Sequence, residues 1–216
     1  MSSRTDTFII SSHAWKIAGP LAVLTFLLLL SMGFEFLTIV LLLVLGCILY
    51  RHRNPERVSS FLQEGAILCP MDGKVKEIIS IDNSPIDGKP GFEVVVESGI
   101  SDIAIMRAPI NAHMSIDSFQ RGAMLNLKSS LKELNENASI RFSSTRGDIV
   151  IKHTLGSWTR PMQFAIEGDI QQNQRYGYQL NGVSSIYLPS NSRVAIKEGM
   201  HLKAGESIIG FFSATT

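Results

Sequence analysis

Cysteine is nearly missing from this sequence, and so is net charge. Two cysteines among 216 residues, Cys47 and Cys69, cannot build a disulfide framework. Cys69 has neither a second cysteine nor a nearby histidine, which excludes a zinc site around it, and no metal-ligating cluster occurs elsewhere. A formal net charge of +1, without a Lys/Arg run outside the flank of the apolar segment, excludes the electrostatic footprint of a nucleic-acid binder. Gly-rich phosphate loops and low-complexity stretches are also missing. The soluble part shows no long helical periodicity. The length suffices for one domain with a proper core plus an accessory segment.

What is present begins with a long apolar run. From Ile17 to Tyr50 the only charge is Glu35. Two stretches, Gly19 to Met32 and Phe36 to Tyr50, flank Gly33-Phe34-Glu35, and each reaches only ~20 Å as a helix, short of a ~30 Å hydrocarbon core. One continuous helix would hold the Glu35 carboxylate near mid-bilayer at a cost of ~2.5 kcal/mol or more. A helical hairpin, re-entrant or crossing a thinned bilayer, places it at the bend instead. Arg4 and Lys16 precede the run and Arg51, Arg53 and Arg57 follow it, so both ends are expected on the cytoplasmic side of the cytoplasmic membrane. A cleaved signal peptide fits poorly, because no small-residue site follows the run. A buried soluble hairpin is the plainer alternative. The expected division is residues 1–52 as membrane anchor and 53–216 as the second domain.

That second domain reads as mainly β, an α+β chain whose strands form a sandwich or barrel. Strands are expected at Phe92–Glu97, Ile103–Met106, Met114–Ile116, Ile140–Phe142, Ile149–His153, Met162–Ile166, Ser192–Ile196 and Ser207–Phe212. Pro70 to Gly73 reads as a turn between a short strand and another from Lys74. Asp82–Gly91 and Asn135–Ser139 read as loops, and Gly168-Asp169 as a turn. Leu125 to Leu134 fits a short helix or a hairpin edge equally.

The stretch Arg175 to Pro189 carries the most specific pattern. Tyr176, Tyr178 and Leu180 alternate before Asn181-Gly182, and Ile186 and Leu188 alternate after it. This predicts a hairpin with a tight Asn-Gly turn, and it puts Ser184 and Ser185 just past the bend. Two readings stay open locally: an ordinary hairpin, or a backbone bent for chemistry.

Six segments taken in order resemble the short, membrane-anchored form of phosphatidylserine decarboxylase. They are the apolar hairpin with Arg53-Asn54-Pro55-Glu56-Arg57, the Pro70-Met71-Asp72-Gly73-Lys74-Val75 turn, and Ile105-Met106-Arg107-Ala108-Pro109. Arg175-Tyr176-Gly177-Tyr178, Tyr187-Leu188-Pro189 and the closing Gly199-to-Glu206 segment complete the set. Each is weak alone; six in register over nearly the whole chain are fairly specific. The resemblance implies a self-processing enzyme of phosphatidylethanolamine synthesis, with membrane phospholipid as partner, no nucleic acid, and possible homo-oligomerisation. A serine after a glycine attacks the preceding carbonyl, the chain splits, and the serine becomes a pyruvoyl group that serves as electron sink. It also implies a catalytic role for Asp72 and substrate contacts from Arg107 and Tyr176.

The same alignment departs from the family where the chemistry lies. The family's histidine, three residues before the Arg of Arg-Ala-Pro, falls on Ala104. Counted forward from Arg175, the processing serine falls on Val183, whose alkyl side chain cannot accept an acyl group. Counted back from Tyr187, one residue is missing and Ser184 is the nearest hydroxyl. Ala138-Ser139 replaces the family's acidic and basic pair after Glu136-Asn137. These departures favour a degenerate member without self-processing. The alternative is an active enzyme cut between Val183 and Ser184, with His113, His153 or His201 as substitute base. A reading of another class is a biotinyl or lipoyl-like β module of a membrane adaptor.

Overall fold

A computed structural model describes residues 15–57, 65–164 and 167–213. Within them the chain divides into two compact units, one ending at Glu56 and one starting at Arg57.

The first unit is a pair of helices, α1 (Trp15–Met32) and α2 (Phe36–Arg51). Their break falls at Gly33, whose φ of +74° suits a residue without a side chain. At 1.5 Å per residue the helices are about 27 and 24 Å long. Among the described residues no helix is long and apolar enough to cross a membrane. Leu27, Leu30, Phe34, Phe36 and Leu43 are all exposed, so this unit leaves much apolar surface uncovered. The buried Thr25 hydroxyl is satisfied within α1, donating to the Leu21 carbonyl at 2.7 Å. Arg4 lies outside the described residues.

The second unit is mainly β. Its strands are β1 (Ala66–Leu68), β2 (Gly73–Ile81), β3 (Gly91–Ser98), β4 (Ile105–Arg107), β5 (Ala112–Gln120), β6 (Asn137–Ser143) and β7 (Ile149–Leu155). There follow β8 (Gln163–Phe164), β9 (Gly168–Ile170), β10 (Arg175–Tyr178), β11 (Gly182–Pro189), β12 (Ser192–Val194), β13 (His201–Leu202) and β14 (Ile208–Phe212). An antiparallel sheet of eight strands runs in the order β13-β2-β3-β11-β7-β6-β5-β9. Two three-stranded sheets, β1-β14-β12 and β4-β10-β8, accompany it.

Alternation places the inward side chains. Along β11, Ser184, Ile186 and Leu188 are buried while Val183, Ser185 and Tyr187 are only partly covered. Val94, Val96, Ile140, Phe142, Ile149, Ile151, Ile186 and Leu188 of the large sheet form one cluster with Met106 and Tyr176. Phe142 meets the Tyr176 ring edge-on at 5.1 Å between centroids.

Several expectations are corrected. Arg175 to Pro189 is not a hairpin: β10 pairs with β4 and β8, whereas β11 pairs with β3 and β7. The chain changes sheet across Gln179–Asn181, which local alternation cannot distinguish from a turn back onto itself. Gly182 has no left-handed φ; it is needed for space, since a Cβ there would lie 2.1 Å from Gln179 Nε2 and 2.3 Å from the Thr154 carbonyl oxygen. Asn137 to Ser139 are strand β6 rather than loop, because they pair with Thr154, His153 and Lys152. Gly168-Asp169 opens β9 instead of turning the chain. Between Leu125 and Leu134 the only regular element is a single 3-10 turn over Lys132–Leu134. Of Met162–Ile166, only Gln163–Phe164 forms a strand, and Ile166 lies outside the described residues.

Candidate active site

β11 is the central strand of the site. Ser184 stands opposite His153 in the β7 ladder and opposite Val96 in the β3 ladder. Both Ser184 and His153 face inward and have no exposed surface. His153 Nδ1 lies 2.6 Å from Ser184 Oγ, and its Nε2 lies 2.9 Å from the Tyr176 hydroxyl. Tyr176 belongs to β10, so this polar string links the eight-stranded sheet to the β4-β10-β8 sheet. Gln179, on the segment between β10 and β11, sets its Oε1 3.5 Å from Ser184 Oγ.

Burial determines the protonation state. Desolvation pushes His153 down from its ordinary value to about 3, with the Gln179 side chain acting weakly in the opposite direction. Desolvation also raises Tyr176 well above the usual phenol range. The string is therefore Ser–OH, neutral imidazole and Tyr–OH at any ordinary pH. The tautomer with its one proton on Nε2, donated to the Tyr176 oxygen, would leave Nδ1 to accept the Ser184 proton; in the other, Nδ1 donates to Ser184 Oγ and the serine hydroxyl donates to Gln179 Oε1 at 3.5 Å. A neutral histidine holding a serine hydroxyl, itself oriented by a third group, is the arrangement that activates an oxygen nucleophile.

Asp72 lies in a different cluster. It is buried and ion-paired with Arg57, whose Nη2 donates to Oδ2 at 2.9 Å. Its Oδ1 also accepts from the Ala204 amide at 2.8 Å, and Oδ2 from the Ile103 amide at 3.4 Å. Glu206 reaches the same guanidinium at 3.4 Å. This clamp joins the start of the β unit to the turn before β2 and to the segment before β14. None of these contacts involves Ser184 or His153. Ala104 follows the Ile103 amide held by Asp72, and its carbonyl accepts from Gln179 N at 2.8 Å. Methyl thus stands where the resemblance places an imidazole.

The remaining sequence-derived candidates separate. Val183 is partly covered and points to the opposite face of β11, beside Glu97 and Thr154. Arg107 is buried and gives its Nη1 to the Asn173 backbone and side-chain oxygens, at 3.1 and 3.3 Å. His113 is exposed and meets Asp169 at 2.9 Å, and His201 is exposed on β13. Of the three histidines weighed as substitute bases, only His153 touches Ser184. The link from Tyr176 to His153 had no local signal, since it depends on the packing of two sheets. The His153–Ser184 pair could have been sought as inward positions on neighbouring strands, had the strand order been known. Among the described residues, no group of three or more His, Cys, Asp or Glu is placed to hold a metal.

Comparison with known proteins adds the family context. The family model described as phosphatidylserine decarboxylase matches residues 44–210. A phosphatidylserine decarboxylase proenzyme of Azorhizobium caulinodans is 25% identical over 203 residues, covering 91% of this chain and 82% of the relative. A protein of the same description from Desulfotalea psychrophila is 27% identical over 183 residues, covering 82% and 84%. Another, from Carboxydothermus hydrogenoformans, is 28% identical over 168 residues, covering 76% and 78%.

Proposed function

Because the chain belongs to the phosphatidylserine decarboxylase family, we propose that it is a proenzyme of that activity which cuts itself between Val183 and Ser184, with His153 as the base. The observation that carries this is the 2.6 Å contact between His153 Nδ1 and Ser184 Oγ. It provides, from β7, the imidazole that is missing at Ala104. The hydroxyl from which a pyruvoyl group must come is present at residue 184 and absent at residue 183, so the residues fit that cofactor at one position.

The chain's own groups would act as follows. Ser184 Oγ attacks the Val183 carbonyl carbon while His153 Nδ1 takes the hydroxyl proton. The proton passes to the Ser184 nitrogen as the C–N bond breaks, converting the amide to an ester. Loss of the Ser184 α-proton expels Val183 as a carboxylate, and uptake of water with release of ammonia leaves a ketone on residue 184. Tyr176 holds the imidazole through Nε2 and burial keeps the ring neutral; in the tautomer protonated on Nε2 the Nδ1 lone pair would face Ser184. The resulting keto group supplies the electron sink for loss of carbon dioxide from an amino-acid headgroup. In the same reading the apolar helix pair is a re-entrant membrane anchor and the β unit lies on the cytoplasmic side.

Two features favour the uncut alternative. Val183 occupies the family's serine position, and Ser184 lies inside a ladder paired on both edges. Intact mass of the purified protein separates the two readings. Processing gives two pieces, the smaller comprising residues 184–216 and carrying a hydrazine-reactive carbonyl; a single chain of 23.8 kDa would leave the degenerate member.

A further inference from the structure

We infer that a cavity at the strand ends beside β11 is a phosphate-binding subsite, formed by Ser98, Lys74 and Lys128. The cavity measures about 450 Å³ and lies where β3 ends and β2 begins, next to Asn181. Ser98 pairs in register with Gly182, two residues before Ser184. No residue of the Ser184–His153–Tyr176 string lines it.

Two independent observations point to a ligand. The first is Ser98 itself, which is 1% exposed and lines the cavity, yet its hydroxyl has no hydrogen-bond partner among the described residues. Buried hydroxyls are almost always paired, so an unpaired one on a residue that lines a cavity is a donor awaiting an acceptor. The second is charge. Glu97 is ion-paired with Lys76, and the Asp102 carboxylate, which accepts from the Gly99 amide at 2.7 Å, is the remaining acidic group of the lining. Lys74 and Lys128 add two ammonium groups to the lining, and His201 adds a titratable ring.

A hydroxyl donor and two ammonium groups entering from different elements suit the tetrahedrally arranged oxygens of a phosphate better than a planar carboxylate. The volume falls in the range of small-molecule sites and exceeds what a bare ion fills. There is room for the group to which the phosphate is esterified. A lipid headgroup and a free phosphate share this chemistry. Only the lipid source rests on the decarboxylase reading.

The test is titration calorimetry and thermal shift on the full chain in detergent, with inorganic phosphate, glycerophosphoserine and glycerol as probes. The two phosphate compounds are expected to bind and glycerol is not. Tighter binding of glycerophosphoserine identifies a headgroup site, and equal binding identifies a site for phosphate alone. Ser98→Ala and Lys128→Ala should each weaken binding about tenfold, the usual effect of one charge-assisted hydrogen bond. Ser98→Ala should leave the ligand-free melting temperature unchanged or higher, since it removes an unpaired hydroxyl. Binding unaltered in both variants, or no binding by either phosphate compound, overturns the inference. Ser184→Ala separates it from the decarboxylase reading: binding by that uncut chain supports the subsite whatever becomes of the chemistry. A self-cut chain that binds neither compound sinks the subsite alone.

Discussion

Among the described residues, two of the buried polar clusters in the β unit are built on opposite principles. The Arg57–Asp72 cluster is charged and saturated: carboxylate, guanidinium, two backbone amides and Glu206 consume one another's capacity. The Ser184–His153–Tyr176 string is neutral, and each ring nitrogen of its imidazole meets a hydroxyl. The ion-paired groups hold three distant segments together. A neutral string contributes less to cohesion and keeps a transferable proton. The comparison shows that Asp72, the acid favoured by sequence resemblance, is held in a cluster separate from Ser184 and His153.

The sharpest way to break the comparison is to remove the hydroxyl. Ser184→Ala should abolish cleavage completely, leaving one chain by intact mass, while the fold persists because alanine fits an inward β position. His153→Gln should come next, slowing the appearance of the small fragment by ~10²–10⁴-fold, the usual contribution of a general base. A fragment appearing at the unchanged rate would reduce His153 to a packing residue. Arg57→Met attacks the other cluster. It strands the Asp72 carboxylate in a buried site and should cost about 3–5 kcal/mol in denaturant unfolding. Whatever protein remains folded should still process at Ser184.

A smaller effect concerns pH. His153 is held at about 3 in the folded chain against an ordinary value near 6.5, so the unfolded chain binds the extra proton first as pH falls. Stability from this residue is complete above about pH 6.5 and declines from there down to about pH 3, by at most ~1.4 kcal/mol per pH unit. His153→Gln should flatten that part of the stability curve. Smallest of all is the effect at Cys69, whose thiol is buried, pushed up to about 12, and set 3.0 Å from the Met71 carbonyl oxygen. It should resist alkylation in the folded protein until denaturant is added.

Much of the strand content was legible because burial alternates with period two. β3, β7 and the inward residues of β11 follow that pattern closely. The helix break at Gly33 was legible for the same kind of reason: an apolar run interrupted by glycine and a carboxylate. Asn135 and Glu136, read as loop, do lie outside the strands, yet they are buried. Their polarity is satisfied internally, by Asn135 Nδ2 donating to the Leu125 and Leu155 carbonyls and by Glu136 accepting from Arg121. Composition cannot reveal such pairings.

Sequence alone settled that this is a strand-rich chain with an apolar helical pair and that residue 183 lacks a hydroxyl, because covalent identity and local periodicity need no partners. Strand order, and with it the meeting of His153, Ser184 and Tyr176 across two sheets, was decided only in three dimensions. Residues 23 and 31 positions apart become neighbours when ladders and sheet packing bring them together, and no pattern short enough to read along the chain encodes that distance.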